Sequence, residues 1–191
     1  EHIPELAAEN DLSVAVGAWI GPNRQRNERE LETLAALAPR RNVVRVLVGN
    51  EALLRNDLPV SDLIAYIKRA KQKIWKPVST AEPPHIWLNN PELVKAVDYI
   101  GVQILPYWEG IPIDYAVDAV FERLDELRTA YPNKPIVVTE VGWPSRGKII
   151  PRRPYPGLSE EELNTEAVPS LVNQATFMRE FLNRAKAEDI T

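Results

Sequence analysis

Residues 43–51 read Val43-Val44-Arg45-Val46-Leu47-Val48-Gly49-Asn50-Glu51, and residues 135–140 read Pro135-Ile136-Val137-Val138-Thr139-Glu140. In each, an apolar β-branched run stops at a carboxylate. A strand covered on both faces of a sheet reads as a continuous apolar run of this kind. In barrels and open parallel sheets, ligand sites lie just beyond the carboxyl ends of the strands. The two segments therefore predict a parallel α/β sheet that carries Glu51 and Glu140 on one rim.

The rest of the chain alternates in the same way. Residues 12–20 and 75–81 and the segment Asp98–Leu105 read as further strands. Helical spacing appears over residues 27–38, with Leu31, Leu34, Ala35 and Ala38 on one face, and over 60–73, 91–97, 114–130 and 171–188. Residues 1–10 look like the last turns of a helix. Ser61 is the expected N-cap of the 60–73 helix, and Pro91 suits the first turn of the helix it opens. Ala116, Val117, Val120, Leu124 and Leu127 form the inward face of the 114–130 helix. Five strands alternating with helices imply repeated βα units. A complete (β/α)8 TIM barrel needs ~250 residues, and this chain has 191. The expectation is one domain over residues 1–191, an incomplete barrel carrying strands three to seven, with the first two and the last absent. A complete five-stranded doubly wound domain is the competing reading. It lacks the Gly-rich phosphate loop that nucleotide binding in such folds uses.

Composition narrows the chemistry. The net charge of −4 argues against nucleic acid as the main partner. With no cysteine, disulfides, thiolate catalysis and Cys-based zinc sites are excluded. Two histidines, His2 and His85, are too few for a multi-histidine metal site. No metal or organic cofactor is expected. No apolar run approaches the ~18 residues that span a bilayer.

Paired carboxylates on one rim suit glycosidic bond cleavage. Retaining glycosidases hold two carboxyl groups ~5–5.5 Å apart, one as acid/base and one as nucleophile. The flanking residues sharpen this. VGNE at 48–51 and TEVGWPS at 139–145 resemble glycoside hydrolase family 17, the β-1,3-glucanase family. ILPYW at 104–108, VSTAEP at 78–83 and Asn173-Gln174-Ala175 extend the resemblance along the whole chain. GAWI and STAEPPHIW look more like bacterial members than plant glucanases.

The resemblance implies that Glu51 is the proton donor and Glu140 the nucleophile of a retaining double displacement on β-1,3-glucan. The outcome is hydrolysis or, with a sugar as acceptor, transglycosylation. A non-catalytic glucan-binding fragment, or an unrelated α/β binding domain, is the alternative. The resemblance also implies that Asn50 contacts the sugar and that Tyr107 hydrogen-bonds the nucleophile. Trp143 would offer a ring face for stacking. Trp19, Trp87 and Trp108 lie on the same predicted rim and either form sugar subsites or cap the core. Glu82 would accept a sugar hydroxyl or tune the acid/base, and His85 would be a hydrogen-bonding partner. Bacterial relatives further imply a secreted, periplasmic or membrane-associated parent, in some cases fused to a membrane glycosyltransferase. Residues 144–170, rich in Pro and Gly and long for a βα connection, would form a binding loop, a lid or a solvated insertion.

Overall fold

The computed structural model describes residues 2–152, 159, 165–188 and 190. In chain order the elements are α1 (Ile3–Glu9), β1 (Val14–Ala18), α2 (Arg24–Leu37), β2 (Val43–Asn50), α3 (Val60–Lys73), β3 (Val78–Glu82), α4 (Pro84–Asn89), α5 (Pro91–Ala96) and β4 (Ile100–Ile104). A 3₁₀ turn (Pro106–Glu109), α6 (Ile113–Ala130), β5 (Ile136–Val141), β6 (Ile150–Pro151), β7 (Glu166–Ala167) and α7 (Leu171–Ala187) follow. Strands β1 to β5 form one sheet in chain order, and β1–β2, β2–β3 and β3–β4 pair in parallel. Such an order is what successive βα units produce. β3 and β4 are buried along their whole length, whereas β1 and β5, at the two ends of the sheet, are half-exposed.

Two compact units divide the chain, the first comprising Glu1–Val102 with Asn133–Val137 and the second Gln103–Pro132 with Val138–Thr191. In the first, α3 lays Leu63, Tyr66, Ile67 and Ala70 inward. Its N-cap is Pro59 and no side chain caps it, so Ser61 falls inside the helix rather than at its start. Two of the buried polar side chains here are held by backbone groups. Asn27 exchanges hydrogen bonds with the Gly21 backbone at 3.0 and 2.8 Å, and the Tyr99 hydroxyl donates to the Val46 carbonyl at 3.2 Å. α4 is absent from the sequence expectation because Pro83-Pro84 reads as a breaker. Pro84 instead occupies the first helical turn, where its missing N–H costs nothing.

The second unit is built on α6 and α7. The expected face of α6 is buried, joined by Ala119 and Phe121. Phe177 and Phe181 of α7 stack at 6.1 Å with planes 5° apart, and Phe121 tilts against Phe181 at 6.0 Å. The chain after β5 forms a two-stranded antiparallel ribbon, Ile150 opposite Ala167 and Pro151 opposite Glu166, which lies against the 3₁₀ turn. This ribbon is part of the predicted 144–170 loop; residues 153–158 and 160–164 of that loop lie outside the described residues. Gly110 makes the approach possible. Its φ of +74° is left-handed, and a Cβ there would overlap the Pro151 carbonyl and the Arg152 backbone. Gly110→Ala is expected to destabilise the protein by about 2–3 kcal/mol, since neither the backbone conformation nor the neighbouring backbone can yield cheaply. Urea unfolding of the two proteins checks this; an unchanged midpoint would mean the ribbon does not bear on stability.

Candidate active site

The end of β2 turns sharply. Gly49 has φ +92°, and a Cβ on it would press on Leu63 and on the Thr80 hydroxyl at 3.3 Å. The β2–β3 register slips between Leu47 and Asn50, bringing Asn50 opposite Ala81. Glu51 follows with φ +52°, left-handed for a residue with a side chain. That conformation costs about 1–2 kcal/mol. Hydrogen bonds hold it in place: the Glu51 N–H donates to the Ala81 carbonyl at 2.8 Å, and the Arg55 N–H donates to the Glu51 carbonyl at 2.9 Å. Glu51 and Asn50 are both half-buried.

Glu82, the last residue of β3, is fully buried. Its two carboxylate oxygens accept from the backbone N–H groups of Leu53 at 2.9 Å and Leu54 at 3.3 Å. The expected contact with a sugar hydroxyl is therefore not the contact this carboxylate makes; it faces the turn that carries Glu51. Burial pushes the Glu82 carboxyl up to about 7, the Leu53 and Leu54 N–H groups oppose the rise, the charge of Glu51 adds to it and that of Arg55 opposes it.

Trp87 is likewise fully buried, and its indole N–H lies 3.1 Å from the carbonyls of both Glu82 and Gly101. Its ring fills core and offers no face to a sugar, because its position on α4 turns it inward beneath the β3–β4 pair. His85 is exposed on the same helix. Trp19 is 47% exposed just past β1, and the Arg55 guanidinium lies over its ring at 4.5 Å.

In the second unit Glu140 is exposed and sits one residue before the end of β5. Its carboxylate accepts from the Gln103 side-chain amide at 3.0 Å. Gln103 is 2% exposed, on β4. The expectation that Tyr107 hydrogen-bonds Glu140 is not met in this arrangement. The Tyr107 hydroxyl donates to the Lys148 carbonyl instead. The ribbon's approach over the 3₁₀ turn supplies that acceptor. Trp143 is 3% exposed, donates to the Val168 carbonyl at 3.0 Å, and packs edge-on to Tyr107 at 5.6 Å. It is a wall of the second unit rather than an open stacking face. Trp108, 57% exposed and edge-on to Tyr107 at 5.0 Å, does present an open ring.

Two residues were missed by sequence reasoning. Gln103 carried a signal, a polar residue inside the apolar run of a buried strand. Arg55 carried none, being one more charged residue in a connection. Among the described residues no group of three His, Cys, Asp or Glu side chains could hold a metal, and no helix is long and apolar enough to cross a membrane.

A family model described as the BtgE/BtgC glycoside hydrolase domain matches residues 1–191. The chain is 31% identical over 163 residues to the btgC protein of Aspergillus niger, provisionally named a glucan endo-1,3-beta-glucosidase, covering 77% of this chain and 23% of that protein. It is 27% identical over 198 residues to the btgE protein of Aspergillus flavus, named a probable beta-glucosidase, covering 100% of this chain and 30% of that protein. The chain thus spans less than a third of the length of these curated relatives. Among solved structures, the glycoside hydrolase family 17 beta-1,3-glucanosyltransferase from Rhizomucor miehei superposes with a TM-score of 0.81 at 26% identity, covering 98% of this chain and 66% of that one. An active-site mutant of the same enzyme, in complex with laminaritriose, superposes with a TM-score of 0.80. These relatives are fungal, so the expected likeness to bacterial members is not supported.

An acid whose value in the folded protein lies above its ordinary one favours folding most when protonated. For Glu82, with an ordinary value of 4.5 raised to about 7, that contribution is complete below the lower value. It declines as pH rises and is gone above the higher one. The span corresponds to roughly 3 kcal/mol. Denaturant unfolding at pH 4 and pH 8 is expected to show a larger loss of stability in the natural protein than in Glu82→Gln, by about that amount. Parallel pH profiles would contradict it.

Proposed function

The chain belongs to the BtgE/BtgC glycoside hydrolase domain family, and we propose that it cleaves β-1,3-glucan by a retaining double displacement. Glu140 is the nucleophile in this reading and Glu51 the acid/base. The observation that carries it is the pairing of Gln103 with Glu140: a buried neutral donor aimed at an exposed carboxylate. Such a bond fixes the orientation of the carboxylate that attacks in this reading. The position of Glu51, just past the end of β2 in a left-handed turn, supports reading it as the acid/base.

In the first step Glu51 protonates the glycosidic oxygen while Glu140 attacks the sugar carbon. The bond to the leaving sugar breaks as the bond to Glu140 forms. In the second step Glu51 takes a proton from the incoming hydroxyl, which displaces Glu140 and restores both carboxyls. Water as the incoming group gives hydrolysis; a second glucan chain gives transfer. The likeness to a glucanosyltransferase, a relative of which an active-site mutant has been captured with laminaritriose, favours transfer as the second reading. Exposed Trp19 and Trp108 supply rings on which sugars can stack, and Asn50 supplies a polar contact beside the acid/base.

Glu140→Ala is expected to abolish turnover of laminarioligosaccharides and of aryl glucosides alike. Glu51→Ala is expected to spare cleavage of aryl glucosides with activated leaving groups, which need little protonation. Mass spectrometry of the products decides between shortened chains and chains longer than the donor. Equal loss on both substrates in the two variants would overturn the assignment of roles.

Gln103→Leu removes a hydrogen bond to a charged group, worth about 1.5–3 kcal/mol. A fall in kcat of roughly 10–100-fold with little change in KM is expected. Full activity in that variant would remove Gln103 from the site.

A further inference from the structure

The turn from Glu51 to Asp57 is held from two places by side chains that have no evident part in proton transfer. From β3, the Glu82 carboxylate accepts from the Leu53 and Leu54 N–H groups at 2.9 and 3.3 Å. From within the turn, the Arg55 guanidinium donates to the Asn50 carbonyl. It also pairs with Asp57 Oδ2 through Nε at 3.0 Å and Nη2 at 2.8 Å. Its flat face lies over Trp19 at 4.5 Å. One planar group thus joins the last residue of β2, the far end of the turn and an exposed aromatic ring. A planar fork with several fixed donors can do this; an ammonium point charge cannot.

We propose that Arg55 and Glu82 are positioning residues for Glu51, fixing the 51–57 turn so that the Glu51 carboxyl is presented in one conformation to the glycosidic oxygen. The inference rests on the reading of Glu51 as acid/base. Glu51 occupies a left-handed backbone conformation that a glutamate does not favour, and Gly49, two residues before it, has φ +92°. Local sequence therefore does not hold the side chain in place, and the grips on the turn must. The buried Glu82 satisfies two backbone donors that would otherwise face the interior. Its replacement by an amide loses one acceptor and sets an NH₂ group against an N–H. Arg55 additionally links the acid/base turn to Trp19, so a sugar stacked on that ring bears on the same guanidinium that steadies the turn.

A misplaced general acid hurts most where the leaving group most needs a proton. The test compares kcat/KM, which reports the first displacement, on laminarioligosaccharides and on a dinitrophenyl β-glucoside of the same length. In the full chain, Arg55→Ala and Glu82→Gln are expected to lower the value for laminarioligosaccharides about 10–100-fold, with a loss of less than about threefold on the activated substrate. Arg55→Lys should fall between, and free guanidinium should partly restore Arg55→Ala. Arg55 variants should also raise KM for the oligosaccharides through Trp19, whereas Glu82→Gln should not. Equal losses on both substrates that follow the fall in thermal midpoint would mean a structural role only and would overturn the proposal, as would unchanged kinetics. If Glu51→Ala itself loses both substrates equally, the acid/base reading falls and this inference with it. If Glu51→Ala spares the activated substrate and the Arg55 and Glu82 variants do not, this inference alone falls.

Discussion

The reversal of the chain at the end of β2 governs the first unit. A parallel strand must leave the sheet, and it leaves through Gly49 at φ +92° and Glu51 at φ +52°. No other residue type suits the first of these positions, because a Cβ would meet Leu63 and Thr80 as well as the wrong region of backbone space. The second is an unfavourable conformation stabilised from outside. Ala81 receives the Glu51 N–H, and the carboxylate of the next residue along β3 receives the N–H groups of Leu53 and Leu54. Strain of this order persists only where the surroundings over-determine it, and it collects at functional positions.

Environment also separates the carboxylates by role. Glu82 is fully buried, and desolvation holds its proton near neutral pH. Glu140 is exposed and receives one neutral donor. Two glutamates on strands of one sheet therefore sit in opposite surroundings, one buried and one exposed. One belongs to the scaffold of the proposed acid/base; the other is the proposed nucleophile. The aromatic residues divide in the same way, with Trp87 and Trp143 in packed interiors and Trp19 and Trp108 at the surface.

Much of the sheet was legible before the structure. Val43–Asn50 is a continuous apolar run and the inward face of α6 is periodic, and both signals survive because they record which side chains face the core. The positions of Glu51 and Glu140 near strand ends were legible because that is where the apolar pattern stops. What sequence could not reveal depends on approach over distance. Tyr107 loses its expected partner to Lys148 because a ribbon forty residues along the chain, roughly by number, folds over it. Trp87 and Trp143 look like rim aromatics until their indole N–H groups are seen to be bonded to main-chain carbonyls. α4 hides behind Pro83-Pro84, and the β6–β7 pair is two residues long on each side. Arg55 has no pattern at all, since its contact is with a ring contributed by a different strand end.

The ribbon beside the 3₁₀ turn has one more consequence. Arg152 N–H meets the Thr165 carbonyl at 3.0 Å, so the chain leaves and returns at a single point. Its stem is fixed through Gly110, and the contacts of Tyr107 and Trp143 are made by the stem. The aromatic pair of Tyr107 and Trp143 is therefore anchored on both sides of this closing point, at Lys148 before it and Val168 after it.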